Sequence, residues 1–293
     1  MGKYPIFIPS KGRATNQLTA KMFLQDGVDF KIVVEPQEQN AYISEFGSEY
    51  ILTLPENNRG LVYSRNWIRD YAIDQGHERH WQFDDDIRSM LRVYKGRKLY
   101  CSSKIAIGVA EEFTDRYENI ALTSFNSAFF IAMAKGRFHS FYPPFYLNHR
   151  CYTVFLMLNS IPCRWRYKYN EDTDMTLQAL ATGWCTVLLN AFLIMTPETM
   201  TDKGGQTAIY VNDGRLQMAR QLERVWPGVV TTARRFGRPQ HRIYKEWAAF
   251  DTRLKRRTDI EWPKGVDEFG MTLVAREDAT DEFKDMAKKY HAK

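Results

Sequence analysis

No apolar run in this 293-residue chain approaches the roughly 20 residues that a membrane-spanning helix needs, so a membrane protein of that type is not expected. Nor does a signal peptide open it: Met1-Gly2-Lys3 leads directly into the strand-like Tyr4-Pro5-Ile6-Phe7-Ile8, without an apolar core and a small-residue cleavage site. A cytoplasmic location is the default that follows. Cysteine is scarce. Cys101, Cys151, Cys163 and Cys185 lie far apart, with no C-x-x-C pair and no histidine at zinc-finger spacing. They read as reduced, mostly buried thiols, and nothing local activates one as a nucleophile. What is present is a folded protein's composition, 44% hydrophobic with 14% aromatics. The length suits one α/β domain with an appendage.

The first half alternates strand-like and helical patterns. Strands are expected at residues 4–9, 30–35, 50–54, 80–84 and 120–124, and helices at 16–25, 61–74 and 104–115. In the second helix Leu61, Val62, Ile68, Tyr71 and Ala72 recur near helical spacing, and Gly76 stands where a C-terminal cap belongs. Such alternation predicts an α/β fold, a mostly parallel sheet with helices packed on it and ligands beyond the carboxyl ends of its strands.

The run Trp81-Gln82-Phe83-Asp84-Asp85-Asp86-Ile87 drives an apolar strand into three carboxylates. Adjacent acids repel one another, and a compensating cation is the simplest reason to tolerate them. Mg²⁺ or Mn²⁺ prefers carboxylate oxygen and completes its shell with water and phosphate. In a β-strand alternate side chains share a face, so Asp84 and Asp86 can converge as a D-x-D pair for a metal and a diphosphate, while Asp85 points away. The competing reading is a solvated acidic turn.

Other candidates stand at predicted strand ends. In Pro9-Ser10-Lys11-Gly12-Arg13, Gly12 permits a tight turn and Lys11 or Arg13 can face phosphate or base. Glu35 can accept from a base or ribose, or be a loop acid. Gly60 opens the helix that carries Arg65 and Asn66 one turn in, where both can line a ligand edge. A second acidic cluster, Asn170-Glu171-Asp172-Thr173-Asp174, precedes the amphipathic stretch 175–181. Capping uses one such residue, which leaves a carboxylate of this cluster available as a general base.

Positive charge is localised. Residues 234–257 hold nine Lys/Arg, among them Arg234, Arg235, Arg238, Arg242 and Lys245, against Glu246 and Asp251. That stretch carries +7 of a net +6, and the remainder is −1. With Phe236, His241, Tyr244 and Trp247 interleaved, it fits contact with a nucleic-acid backbone and bases, or else a solvated helix face. Arg164-Trp165-Arg166-Tyr167-Lys168 offers a second basic and aromatic segment. Tyr142, Phe145 and Tyr146 are candidates for stacking on a flipped base.

The ordered set Ile6-Phe7-Ile8-Pro9-Ser10-Lys11-Gly12-Arg13, Gly60, Arg65-Asn66, Phe83-Asp84-Asp85-Asp86 and Glu171-Asp172 resembles a GT-A glycosyltransferase, and more narrowly the TET-associated glycosyltransferases of tailed bacteriophages. The resemblance spans about residues 4–205, with 234–257 as a less certain extension; it implies a GT-A-like, Rossmann-type mixed and mostly parallel sheet flanked by helices in a catalytic domain of residues 1–205, and a helical, basic C-terminal extension at 206–293 as the candidate DNA-binding and acceptor-side region. It implies transfer of a sugar from a UDP-sugar to the hydroxymethyl group of 5-hydroxymethylcytosine in DNA, which protects phage genomes from host nucleases; the location would then be the host cytoplasm. It also implies that Asp84 and Asp86 form the metal and diphosphate motif, Asp86 being the more direct ligand, with Asp85 beside them. Pro9, Ser10, Lys11 and Arg13 match the first nucleotide loop, Glu35 the second, and Gly60, Arg65 and Asn66 the donor-lining helix. Glu171 or Asp172 matches the acceptor-side base. Lys203 belongs to a Gly-rich segment that can close over the diphosphate, and His241 is a weak match to the late metal-binding histidine of many such enzymes.

Three other readings use the same residues. A glycan or protein acceptor keeps the chemistry, with the localised positive charge as the argument against it. A metal-dependent nuclease or phosphotransferase needs clustered carboxylates and a basic surface, but leaves the first-strand loop and Gly60 with Arg65-Asn66 unexplained. A non-enzymatic nucleic-acid binder leaves the acidic clusters unexplained. No local motif encodes the sugar, the stereochemical course, the state of the acceptor base or an oligomeric partner.

Overall fold

The structure, a computed structural model, describes residues 2–94, 97–131, 143–197, 214–235, 237–243 and 250–262. Lys203, Lys245 and Tyr142 lie outside these residues, as do Phe236, Tyr244 and Trp247. In chain order the elements are β1 (Ile6–Pro9), α1 (Leu18–Asp26), β2 (Lys31–Val34), α2 (Gln39–Phe46), β3 (Ile51–Thr53), α3 (Leu61–Asp74), β4 (Arg79–Phe83), β5 (Ser89–Tyr94) and β6 (Arg97–Cys101). There follow α4 (Ser103–Asp115), β7 (Ile120–Ser127), β8 (Phe145–Leu147), β9 (Val154–Leu158), α5 (Glu171–Ala181), β10 (Cys185–Met195), α6 (Gly214–Val225), β11 (Val230–Arg235) and β12 (Arg238–Ile243).

One mixed sheet runs β3-β2-β1-β4-β9-β7-β10-β5-β6, with β8 also paired to β10. Pairing is parallel from β3 through β2 and β1 to β4, and again between β7 and β10. Between these blocks β9 runs antiparallel to both β4 and β7. Two reversals restore direction, so β1, β2, β3, β4, β7 and β10 all end at one edge. This is the α/β class expected from the alternation of elements.

The central strands are buried on both faces, as their nearly unbroken apolar runs require. Ile6 and Ile8 join the main core while Phe7 joins a second cluster on the opposite face, and Ile32 and Val34 are separated from Val33 in the same way. That is the two-residue period of a strand. Helices α1 and α4 cover the first face through Phe23, Ala106, Val109 and Phe113, and α3 covers the second through Ile68 and Ala72.

The described residues beyond 205 join the same body. Leu222 and Val230 pack on Leu177 of α5, Leu254 and Trp262 pack against the main core, and Tyr117 bridges to Arg256. No helix among the described residues is long and apolar enough to cross a membrane. All four cysteines are free thiols, three of them buried and Cys101 half-buried.

Candidate active site

Strand β4 stops at Phe83, and Asp84, Asp85 and Asp86 form the turn after it rather than its continuation. The turn is pinned from beneath: Thr19 Oγ1 donates to the Asp84 carbonyl at 2.6 Å and accepts from Ile87 N at 2.9 Å, while Leu18 N donates to the Asp85 carbonyl at 3.1 Å. Asp84 and Asp86 keep 34% and 35% of their side-chain surface open, but Asp85 only 12%. The split expected from strand alternation is therefore present, although a turn produces it.

Asp85 is bound to the first-strand loop. Its carboxylate accepts from Ser10 Oγ at 2.6 Å and forms an ion pair with Arg13. Arg13 also reaches Asp86 at 3.6 Å, and Tyr42 ties the loop down through Ser10 Oγ at 2.8 Å and Arg13 N at 3.1 Å. The loop needs Gly12, whose φ of +69° is left-handed and whose N–H donates to Glu38 at 2.9 Å. Beside it, Lys11 Nζ donates to buried Glu35 at 2.7 Å and to Asn58 at 2.8 Å, and Gln37 also donates to Glu35 at 2.7 Å. Glu35 thus holds Lys11 at the carboxyl edge.

Asp84 is held by Arg65, whose Nη2 lies 2.7 Å from its Oδ1. Helix α3 delivers Arg65 from an N-terminus at Gly60, where φ is +83° with no neighbouring atom crowding the Cα; the need there is for backbone conformation, not close approach. Arg65 also donates to Gln82 Oε1 at 3.2 Å, and Gln82 Nε2 approaches His80 Nε2 at 2.9 Å. His80, Gln82 and Asp84 are alternate positions of one run, a signal of a buried polar row that the sequence reading missed. Guanidinium groups therefore supply much of the compensation first assigned to a metal. Burial still pushes Asp84 up to about 7, against the pull of Arg65 and with the charges of Asp86 and Asp85 adding to it. Burial likewise raises Asp85 against Arg13, and raises Asp86 together with the Asp85 charge.

The second acidic cluster divides its work. Asn170, at φ +52°, makes no side-chain cap and donates instead to the Met218 carbonyl at 2.9 Å. Asp174, fully buried, accepts from Arg166 at 2.6 and 2.9 Å, Trp226 at 2.8 Å and Gln178 at 2.8 Å. Asp172 accepts from Thr173 N at 2.6 Å. Glu171 is raised to about 7 by burial and by Asp172, opposed by Arg65 and raised further by Asp84. The start of α5 is thus within electrostatic reach of the acidic turn. His241, on β12, approaches Arg150 at 3.3 Å; burial and Arg150 lower its imidazole to about 4, against the pull of Asp172.

Among the described residues no three His, Cys, Asp or Glu side chains converge as a metal cage. A hard ion that keeps water and takes phosphate oxygens needs only one or two carboxylates, and the half-open Asp84 and Asp86 fit that type. A closed structural site they do not fit.

Several expected contacts are corrected. Trp165 is buried, edge-on to Phe155 and 4.7 Å from the Arg65 guanidinium, so it cannot stack on DNA. Asn66 is its clamp, donating to the Trp165 carbonyl at 2.8 Å and accepting from its N–H at 3.1 Å. Arg164 is paired with Asp70 and Arg166 with Asp174, so neither is an uncompensated phosphate contact. Phe145 packs edge-on against Phe113 at 4.9 Å and Tyr146 stacks on His149 at 5.0 Å, so both half-buried rings have aromatic partners within the protein. Arg234 and Arg238 are exposed near the β11–β12 turn, the Arg235 backbone pairs with Arg238, and Arg242 lies farther along β12. A separate cavity of about 300 Å³, lined by Glu78, Arg79, Asp115 and Arg257 among others, opens where β4 begins, away from the acidic turn.

The sequence profile of the family described as TET-Associated Glycosyltransferase matches residues 4–205. A crystallised chain from Desulfovibrio desulfuricans G20, provisionally described as a nucleotide-diphospho-sugar transferase, is similar at 12% identity and a TM-score of 0.38, over 65% of this chain and 80% of that one. Comparison with curated proteins gives no match.

Proposed function

Since the chain belongs to the TET-associated glycosyltransferase family, we propose that it moves a sugar from a UDP-sugar to the hydroxymethyl group of 5-hydroxymethylcytosine in DNA, with Mn²⁺ or Mg²⁺ at the acidic turn. One observation carries this reading. Asp84 and Asp86, each about a third open, are paired with Arg65 and Arg13 at the carboxyl edge of the sheet, and Glu171, raised to about 7, lies within electrostatic reach of Arg65 and Asp84.

Asp84 and Asp86 are the residues that hold the ion, which when bound offsets charge on the leaving diphosphate. Arg65 fixes Asp84, while Arg13 spans Asp85 and Asp86 and brings fixed positive charge to the same place. Lys11 and Glu35 border the nucleotide side. For an inverting displacement, the acceptor oxygen attacks the anomeric carbon, the bond from that carbon to the diphosphate oxygen breaks, and the hydroxyl proton passes to Glu171. A carboxyl near 7 suits a base that must accept a proton at neutral pH. Residues 206–293 form the acceptor-side region in this account, and the charge of the 234–257 stretch supports a polyanionic acceptor over a glycan.

Titration with UDP tests the donor half. UDP binding is expected to require Mn²⁺ or Mg²⁺ and to disappear in Asp86→Asn; equal affinity without the ion and in that variant would contradict the assignment.

A further inference from the structure

Phe129 and Phe130 are 87% and 56% exposed, and Phe129 is the most exposed large hydrophobic residue among the described residues. Single exposed apolar side chains are ordinary. Two adjacent phenylalanines held outward by an ordered turn are not. Phe129 N donates to Ser127 Oγ at 3.2 Å and Phe130 N to the Ser127 carbonyl at 3.0 Å, while Lys98 Nζ donates to the Ala128 carbonyl at 2.6 Å. Ile131, buried beside Leu91 and Leu193, anchors the far end.

This turn follows β7 and so stands at the carboxyl edge. Ala128 N donates to the Ile194 carbonyl at 2.9 Å, and Arg88 N, two residues after Asp86, donates to the Met195 carbonyl at 2.8 Å. The aromatic turn and the acidic turn therefore hang on consecutive residues of β10. On its other side Phe130 meets Tyr152 edge-on at 6.1 Å; Arg150 lies 5.0 Å from the Tyr152 ring and 3.3 Å from His241. Tyr152 is fixed by hydrogen bonds to Asn126 and from Ser127 N. Rigid aromatic faces beside a guanidinium suit a planar base attached to a phosphate backbone.

We propose that the Phe129–Phe130 turn is the base-stacking platform of the acceptor site, gripping a nucleobase of the strand that carries the hydroxymethyl group. The proposal rests on the DNA-modifying reading given above and names the element that recognises its acceptor.

The test is binding of a short single-stranded oligonucleotide containing 5-hydroxymethylcytosine, followed by fluorescence anisotropy, for the wild type and the double variants F129A/F130A, F129L/F130L and F129Y/F130Y. Loss of stacking is expected to raise the Kd at least about ten-fold in the alanine and leucine variants, with tyrosine restoring it. Unchanged binding by the alanine variant, full rescue by leucine, or no binding by the wild type would overturn the proposal. Sugar transfer to the same oligonucleotide, measured in parallel, separates the two claims. Aromatic-dependent binding without transfer by the wild type supports the platform and removes the DNA-transfer reading; transfer undiminished in the alanine variant does the reverse.

Discussion

Arg65 reaches Asp84 at 2.7 Å from beneath the Trp165 ring, and it is almost wholly removed from solvent. A buried guanidinium is tolerable only while its charge and its N–H groups have partners. Asp84 and Gln82 supply them for its two terminal nitrogens. Replacing Arg65 by Ala leaves a carboxylate group without its nearest cation. Because Asp84 is a third open, the expected loss is on the order of 2 kcal/mol, less than for a fully buried pair. Thermal unfolding should register this as a fall of about 5 °C. Lysine in its place keeps a charge but not the two-pronged geometry, and should recover only part of the loss.

Asn66 acts differently from its neighbour. Its amide holds the Trp165 backbone through a donor and an acceptor. Asn66→Ala should destabilise the protein by about 1–3 kcal/mol while lowering UDP affinity far less than Arg65→Ala does. Denaturant unfolding and UDP titration on the same two variants make the comparison.

The acidic turn and Glu171 set a pH dependence. Asp84 and Glu171 are both raised in the fold, from 3.8 and 4.5 to about 7. A carboxyl with a raised folded value favours the protonated native state, so its contribution to stability is complete below about pH 4 and is lost as pH rises through 7. Without divalent ions the Tm should therefore fall between about pH 4 and pH 7 and level off above, and added Mn²⁺ should reduce that fall. Activity should rise with pH, with kcat levelling above an apparent pKa near 7. Glu171→Gln should remove this limb and lower kcat by roughly 10²–10⁴-fold. A flat profile in the wild type would count against Glu171 as the base.

Among the arginines, exposure separates binding from architecture. Arg238 is exposed beside the β11–β12 turn, whereas Arg166 serves the fully buried Asp174. Arg238→Ala should weaken DNA binding alike across sequences and reduce the salt slope by about 1. Arg166→Ala should instead lower stability. Affinity measured at several salt concentrations, with a melting curve for each variant, distinguishes the two.

Much of the donor edge was legible because local rules and the fold agree there. The α3 boundaries match the 61–74 expected from periodicity, and α4 differs from 104–115 by one residue. Each of the five foreseen strands has a counterpart: β1, β2 and β3 are shorter than expected, β4 is shifted back by one residue, and β7 runs three residues further. Sequence could not place β9, because a short apolar run does not state its direction, and antiparallel insertion between β4 and β7 is a property of the whole sheet. The residues 164–166 misled for a similar reason. Cations alternating with an aromatic suggest a solvated face, but Asp70, Asp174 and Asn66 come from distant positions to cover them. Phe129 and Phe130 were passed over because an apolar pair after a strand resembles core; only the hydrogen-bonded turn shows them facing solvent.

The central claim is sugar transfer to a DNA base. It is tested most directly by incubating the protein and Mn²⁺ with a panel of UDP-sugars and DNA containing 5-hydroxymethylcytosine, digesting to nucleosides and weighing the products. The account predicts a hydroxymethylcytosine nucleoside heavier by one sugar residue, absent with Asp86→Ala. UDP release with every nucleoside unmodified would contradict it and move the acceptor off DNA.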